Sequence, residues 1–160
     1  MSATDVASRP TVADVTRAAL AVVDTHNLDL PRLEVCTNSP SVRGWDPQEA
    51  RPVSTRETVP LPPGAASVAF VRSGPAFVAW CRALGASRVC VDRARPATTR
   101  VWVNAWRDGI TWSVVGLLDH EHGAPHLPGA GVEWSPRPDR NLGTVTVDGL
   151  ASVYPTEVAP

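Results

Sequence analysis

The pair Asp108-Gly109 separates two runs in which apolar and polar side chains alternate. Asp-Gly between two alternating runs is typical of a β-hairpin closed by a two-residue turn. Counting outward from this turn predicts the cross-strand pairs Arg107–Ile110, Trp106–Thr111, Ala105–Trp112, Asn104–Ser113, Val103–Val114 and Trp102–Val115.

Side chains alternate between the two sides of a strand, so this register also divides the hairpin into two faces. The face that holds Trp112 is mostly apolar, and we expect it to pack beneath helices; we call it the core face. We expect the opposite side, the second face, to hold Trp102, Asn104, Trp106, Thr111 and Ser113.

Two helices are predicted upstream of the hairpin. Residues 11–27 have apolar side chains at helical spacing after Thr11, a favourable N-cap. Residues 73–85 begin with Ser73 or Gly74 as the cap, have Pro75 in the first turn and stop at Gly85. Short apolar runs at 32–37, 66–71 and 87–92 are typical of strands.

A second Asp-Gly pair, Asp148-Gly149, predicts a closing hairpin with Val145, Val147 and Leu150 on one side. Together these elements indicate an α+β two-layer sandwich, with two helices packed on one face of a mainly antiparallel sheet of about five to seven strands. We expect one domain over residues 1–160, with long proline-rich loops at about 38–65 and 119–142. A short edge strand is also possible around residues 54–61.

The composition, with 43% hydrophobic and 19% charged residues, is typical of a globular protein. No apolar run reaches the roughly 18 residues that a membrane helix needs, and residues 1–10 have no signal-peptide pattern. Three cysteines without C-x-x-C spacing indicate neither a disulfide framework nor a cysteine zinc site. We therefore expect a cytoplasmic protein without a membrane partner.

The tryptophans of the second face suggest a binding surface, because exposed aromatic patches tend to mark partner sites. The candidate contact residues are Trp102, Asn104, Trp106, Thr111 and Ser113. The occupant is either a foreign protein or a second copy of the chain. The alternative is that a proline-rich loop or the C-terminal hairpin covers this face and buries both rings.

A second hypothesis is single-stranded nucleic-acid binding, in which bases stack on the tryptophans and arginines neutralise phosphates. Residues 66–107 carry seven arginines against one acidic residue, Asp92. The candidate phosphate contacts are Arg88, Arg93, Arg95 and Arg100. The net charge of −1 and the predicted position of Arg107 on the core face count against this hypothesis.

A third hypothesis is a metal-dependent hydrolase built on the stretch "DHEHGAPH". His120, His122 and His126 could hold zinc with an open water position, although their spacing matches no metallohydrolase motif. The alternative is a solvated loop with incidental histidines. Since other catalytic motifs are missing from the sequence, a non-enzymatic module without a cofactor is favoured.

The run "FVAWCRALGASRVCVD", followed by the tryptophan-rich hairpin, resembles small accessory proteins of actinobacterial phages and integrative elements. The resemblance covers about residues 66–118 and lies in a helix of the type W-x-R-A-L-G that leads into short strands. It implies an accessory or regulatory role inside an actinobacterial host, and it implies no catalytic residues.

Overall fold

The computed structural model describes the two hairpin strands, the helices and most of their connections. The described residues are 10–37, 42–43, 45–46, 51–52, 58–59, 64–93, 98–119, 127, 129–137 and 141–154. Within them the chain is α+β, as predicted, with three helices and a seven-stranded mixed sheet.

The helices are α1 (Val12–His26), α2 (Gly74–Ala83) and α3 (Val147–Val153). The strands of the seven-stranded sheet are β1 (Leu33–Cys36), β6 (Gly64–Val71), β7 (Arg88–Asp92), β8 (Thr98–Arg107), β9 (Ile110–Asp119), β10 (Glu133–Trp134) and β11 (Leu142–Thr146). Four two-residue strands lie between β1 and β6 along the chain: β2 (Val42–Arg43), β3 (Trp45–Asp46), β4 (Arg51–Pro52) and β5 (Thr58–Val59).

The strand order of the large sheet is β1-β6-β9-β8-β7-β11-β10. Every neighbouring pair in it is antiparallel except β6 and β9, which run parallel. The prediction of a mainly antiparallel sheet is therefore confirmed. Of the region around residues 54–61, the structure describes only Thr58–Val59, the strand β5, which pairs with β2 in a separate two-stranded ribbon.

The central hairpin has the predicted register. Arg107 lies opposite Ile110, Ala105 opposite Trp112, and the pairing continues in step to Thr98 and Asp119. Asp108 and Gly109 both have positive φ angles, of 53° and 72°, as a type I′ turn requires.

Side-chain caps fix the starts of the two predicted helices. Thr11 caps α1 by accepting a hydrogen bond from the backbone N–H of Asp14, whose carboxylate accepts from the Thr11 N–H in return. The hydrogen bond from the Thr11 N–H to the carboxylate also lowers the pKa of the Asp14 carboxyl below its usual value. Ser73 caps α2 by accepting from the Ala76 N–H, as the sequence suggested.

The predicted closing hairpin at Asp148-Gly149 is wrong, because these residues lie in the first turn of α3. Thr146 is the N-cap, and its hydroxyl accepts a hydrogen bond from the Gly149 N–H at 3.0 Å. Val147, Leu150 and Tyr154 are all buried, and their spacing of three and four residues puts them on one face of a helix. The described residues therefore contain three helices where two were predicted.

The buried core cluster joins residues of all three helices to residues of the large sheet. The rings of Trp80 in α2 and Trp112 in β9 lie 5.7 Å apart between centroids, and both side chains have 0% exposure. At Gly116 the helix α2 lies close to the sheet. A Cβ at this position would stand 2.9 Å from Phe77 of α2 and 2.8 Å from Val101 of β8. The prediction that Trp112 belongs to the core is confirmed.

A candidate partner-binding face

The register of β8 and β9 puts the five candidate contact residues on the second face. Each of them is half-buried, and each alternates with a buried residue of the core face. The whole set is Trp102, Asn104, Trp106, Thr111 and Ser113. Neither Trp102 nor Trp106 belongs to the buried core cluster, which contains Trp80 and Trp112.

A β-bulge in β6 adds an aromatic side chain beside these residues. Val68 pairs with Val114 and Val71 pairs with Gly116, so Ala69 and Phe70 together stand opposite Val115. Val115 is the cross-strand partner of Trp102, and it therefore lies on the second face. Phe70 is 46% exposed and has a φ of 67°, in the left-handed region that a bulky residue rarely adopts.

On the other side of β8, the second face continues through β7 to β11. Leu142 of β11 pairs with Asp92, and Asp92 pairs with Arg100, so all three side chains share this face. Leu142 is 39% exposed. Among the described residues, Phe70 and Leu142 are two of the four exposed large hydrophobic residues, while the other two, Val12 and Leu20, lie on α1.

Two polar atoms on this face are buried without a hydrogen bond. In the described part of the chain, neither Nε1 of Trp106 nor Oγ1 of Thr111 has a hydrogen-bond partner. The two residues are cross-strand partners, so the atoms belong to adjacent side chains. A buried polar atom without a partner costs about 1–3 kcal/mol.

The structure distributes the arginines proposed for phosphate contacts over different places. Arg88 lies on the second face, where its guanidinium donates to Glu133 at 2.9 Å and to Thr144 at 3.1 Å. Arg100 lies there too, 5.3 Å from the ring centroid of Trp102. Arg93 lies 4.3 Å from the ring of Trp134, a residue that packs against the core cluster, and Arg95 lies outside the described residues.

The core face holds Arg107, as the alternation predicted. Its guanidinium donates to the backbone carbonyl of Ala83, the last residue of α2. This contact ties the end of the hairpin to the helix. The arginine nearest to Trp106 in sequence is therefore used within the fold, and it does not contribute charge to the second face.

The second face carries more acidic than basic residues. By the strand registers, its strands carry Arg88 and Arg100 against Glu34, Asp92, Asp119 and Glu133. Glu34 forms an ion pair with Arg32, and Glu133 forms one with Arg88. A surface of this kind differs from the strongly positive groove that tracks a nucleic-acid backbone.

The buried cysteines are poor nucleophiles. Burial raises the pKa of the Cys81 thiol to about 12. Burial also raises the pKa of Cys90 to about 11, and the charge of Arg88 opposes this shift only in part. Both thiols therefore keep their proton near neutral pH, and neither supplies the thiolate that covalent catalysis needs.

The histidine hypothesis falls on residues that the structure does not describe. His120, His122 and His126 all lie outside the described residues. Within the described ranges, no group of three or more His, Cys, Asp or Glu side chains is arranged to hold a metal ion. Of the helices in those same ranges, none combines the length and the apolar character needed to cross a bilayer.

Sequence reasoning identified the tryptophans of the second face but missed Phe70 and Leu142. Phe70 follows Ala69 in a run that reads as a regular strand, and a regular strand would turn Phe70 toward the core. Only the two-against-one pairing at the bulge reverses that assignment. Leu142 is the last residue of the loop predicted at about 119–142. The side of the sheet on which it lies is set by the pairing of β11 with β7.

The comparison with family models, with curated proteins and with solved structures finds no match to this chain. The functional argument therefore depends on the second face itself.

Proposed function

We propose that this chain is a non-enzymatic protein-interaction module that binds its partner through the second face. The observation that carries the proposal is the grouping of apolar side chains on that face. Trp102 and Trp106 lie at its centre, and the exposed side chains of Phe70 and Leu142 lie on either side of them. Large aromatic side chains of this kind are the usual anchors of protein interfaces.

The proposal includes a two-layer arrangement, in which the helices occupy the core face and leave the second face to the partner. Three contacts support it. Val15 of α1 lies against Gly64, Phe77 of α2 against Gly116, and Trp80 of α2 against Trp112. The three sheet residues share the core face by register, since Gly64 pairs with Ile110 of that face.

The chemistry of the face favours a protein partner over a nucleic acid. The apolar anchors alternate with Asn104, Thr111 and Ser113, whose amide and hydroxyl groups suit hydrogen bonds with peptide groups. The excess of acidic residues gives little attraction for phosphates, although Arg100 beside Trp102 would suit a stacked base. The setting implied by the resemblance of residues 66–118 is an accessory role inside an actinobacterial cell.

The test is an affinity capture with tagged chain as bait. The prey is an actinobacterial lysate supplemented with untagged copies of the chain, with and without nuclease. The variant carries Trp102→Ala and Trp106→Ala, and the matched control is Trp134→Ala, which removes a half-buried tryptophan beside the core. Circular dichroism and thermal unfolding establish that each bait is folded.

We expect a protein that binds the wild type and the control, resists nuclease and is lost with the double variant. Three results would overturn the proposal. Capture that disappears with nuclease would favour nucleic acid, equal capture by wild type and double variant would exclude this face, and an unfolded double variant would mean that the rings are structural. An empty wild-type lane would also count against it.

A further inference from the structure

We propose that the partner on the second face is a second copy of this chain, joined face to face about a two-fold axis that runs along β8. This inference rests on the proposed function, because it needs the second face to be a binding surface. The two sheets would pack about 10 Å apart, with their second-face side chains interdigitated between them.

The apolar residues are placed symmetrically about β8. This strand is fourth of seven in the sheet, and β6 and β11 each lie two strands away from it, on opposite sides. Phe70 is on β6 and Leu142 is on β11, while Trp102 and Trp106 are on β8 itself. A two-fold axis along β8 therefore places Phe70 of one copy over Leu142 of the other and brings the tryptophans together.

The levels of these residues along the strands are compatible with that axis. Phe70 is level with Trp102, because both stand opposite Val115. Leu142 is level with Arg100, two residues from Trp102 on β8. An interface in which the same patch meets itself needs this kind of self-complementarity, since each contact occurs twice.

The charges of the second face permit self-association. Two identical faces repel each other if they carry a strong excess of one sign. Here Arg88 and Arg100 offset two of the four acidic residues, which are Glu34, Asp92, Asp119 and Glu133. The remaining negative excess is small, and it opposes a nucleic acid more strongly than a second copy of the chain.

The outline of the sheet is close to the size of a standard interface. Its seven strands hold 44 residues. With strands ~4.8 Å apart and ~3.4 Å per residue, the sheet outlines on the order of 700 Å². A stable interface of standard size buries about 800 Å² per partner, so a dimer would use nearly the whole second face.

Phe70 provides a test that separates binding from folding. Its φ of 67° is unfavourable for a phenylalanine but common for asparagine. The variant Phe70→Asn therefore relieves backbone strain in the monomer while it removes an interface anchor. A residue with a purely structural role would behave in the opposite way, because its replacement would lower stability.

The experiment is analytical ultracentrifugation of the full chain over a wide concentration range. The variants are Phe70→Asn and Leu142→Asn, and the matched control is Leu20→Asn, which removes an exposed leucine of α1. Thermal unfolding at dilutions where the chain is monomeric accompanies each run. We expect a wild-type dimer, a dissociation constant raised at least tenfold by each face variant, and a change under twofold for the control. Unfolding of Phe70→Asn should occur at or above the wild-type temperature.

Several results would overturn the inference. If the wild type stays monomeric up to ~1 mM protein, the dimer is excluded. At that concentration the experiment detects any dimer whose free energy of association is stronger than ~4 kcal/mol. A dimer that both face variants leave unchanged uses another surface. If Phe70→Asn fails to fold, the dissociation constant of Leu142→Asn tests the inference alone, and an unchanged value overturns it. A monomeric wild type that still captures a foreign protein through Trp102 and Trp106 overturns only this inference and leaves the proposed function standing.

Discussion

The two faces of the hairpin β8–β9 use the same residue type in opposite ways. Trp112 has 0% exposure and lies against Trp80 within the core cluster. Trp106 and Trp102 are one strand away, half-buried and outside that cluster. The backbone has the same extended conformation at all three residues, so the difference in exposure comes from what covers each side of the sheet.

This contrast separates side chains that the fold needs from side chains that a partner can use. On the core face, Gly116 leaves no room for an added methyl group, and Arg107 is held by the carbonyl of Ala83. On the second face, Phe70 keeps an exposed ring at the expense of an unfavourable φ. Strain of that kind persists only where the surrounding structure imposes it, and it is a reason to look for function.

The largest expected effect is on Trp112. Replacing Trp112 by Ala should lower the free energy of unfolding by about 3–5 kcal/mol, because it leaves a large cavity against Trp80. Trp102→Ala should cost about 1 kcal/mol in the monomer, since its ring is half-buried and outside the core. Urea denaturation of dilute protein measures both. Equal losses would show that the two faces do not differ.

A pH series compares a thiol of the core cluster, Cys81, with one of the second face, Cys90. In the unfolded chain a thiol ionises near its ordinary pKa of 9.0, but folded Cys81 does so only near 12. Its contribution to stability is complete below pH 9 and is lost as the pH rises toward 12, at about 1.4 kcal/mol per pH unit.

For Cys90 the loss should end nearer pH 11. Urea denaturation of wild type, Cys81→Ala and Cys90→Ala at pH 8 and pH 11 measures the difference. Each variant should be less sensitive to alkaline pH than wild type. An unchanged pH dependence in both variants would contradict the assignment.

The next effect concerns space between sheet and helix. Gly116→Ala should cost about 1–3 kcal/mol, because its Cβ would stand within 3 Å of Val101 and Phe77. Ser113→Ala, on the second face of the same strand, should change stability by no more than about 0.5 kcal/mol. Thermal unfolding of the two variants provides the comparison. A harmless Gly116→Ala would mean that α2 shifts away from the sheet at little cost.

The smallest effect has the opposite sign. Thr111→Val removes a buried hydroxyl that has no hydrogen-bond partner among the described residues, and it should raise the free energy of unfolding by about 1 kcal/mol. Thr144→Val should lower it, because the Thr144 hydroxyl accepts a hydrogen bond from Arg88. Urea denaturation of both variants tests the pair. A loss with Thr111→Val would show that its hydroxyl is satisfied.

Local sequence was sufficient for the central hairpin and the first two helices. Asp108-Gly109 fixed the turn, alternation then fixed every pair from Arg107 to Trp102, and both helix starts have the caps that the sequence suggested. These features depend on neighbours in the chain, so the residues that determine them are adjacent in sequence. The division of the tryptophans between two faces follows from the same local pattern.

Asp148-Gly149 shows where a local pattern fails. Here the same dipeptide lies in the first turn of a helix. Thr146 caps this helix, and the backbone N–H of Val147 donates a hydrogen bond to the carbonyl of Ser87. Val147 and Leu150 are three residues apart, a spacing that a helix buries on one face. The local cap and spacing therefore favour a helix, and the hydrogen bond from Val147 to Ser87 attaches its first residue to a distant part of the chain.

The sequence by itself determined the α+β class, the hairpin register and the faces of Trp102, Trp106 and Trp112, since alternation and turn chemistry act over a few residues. Only the tertiary structure decided that β6 runs parallel to β9, that β11 joins β7, and that a bulge turns Phe70 outward. These features depend on pairing between strands far apart in the chain. Hydrogen bonds across such distances are selected by the packing of the whole sheet, which no local pattern encodes.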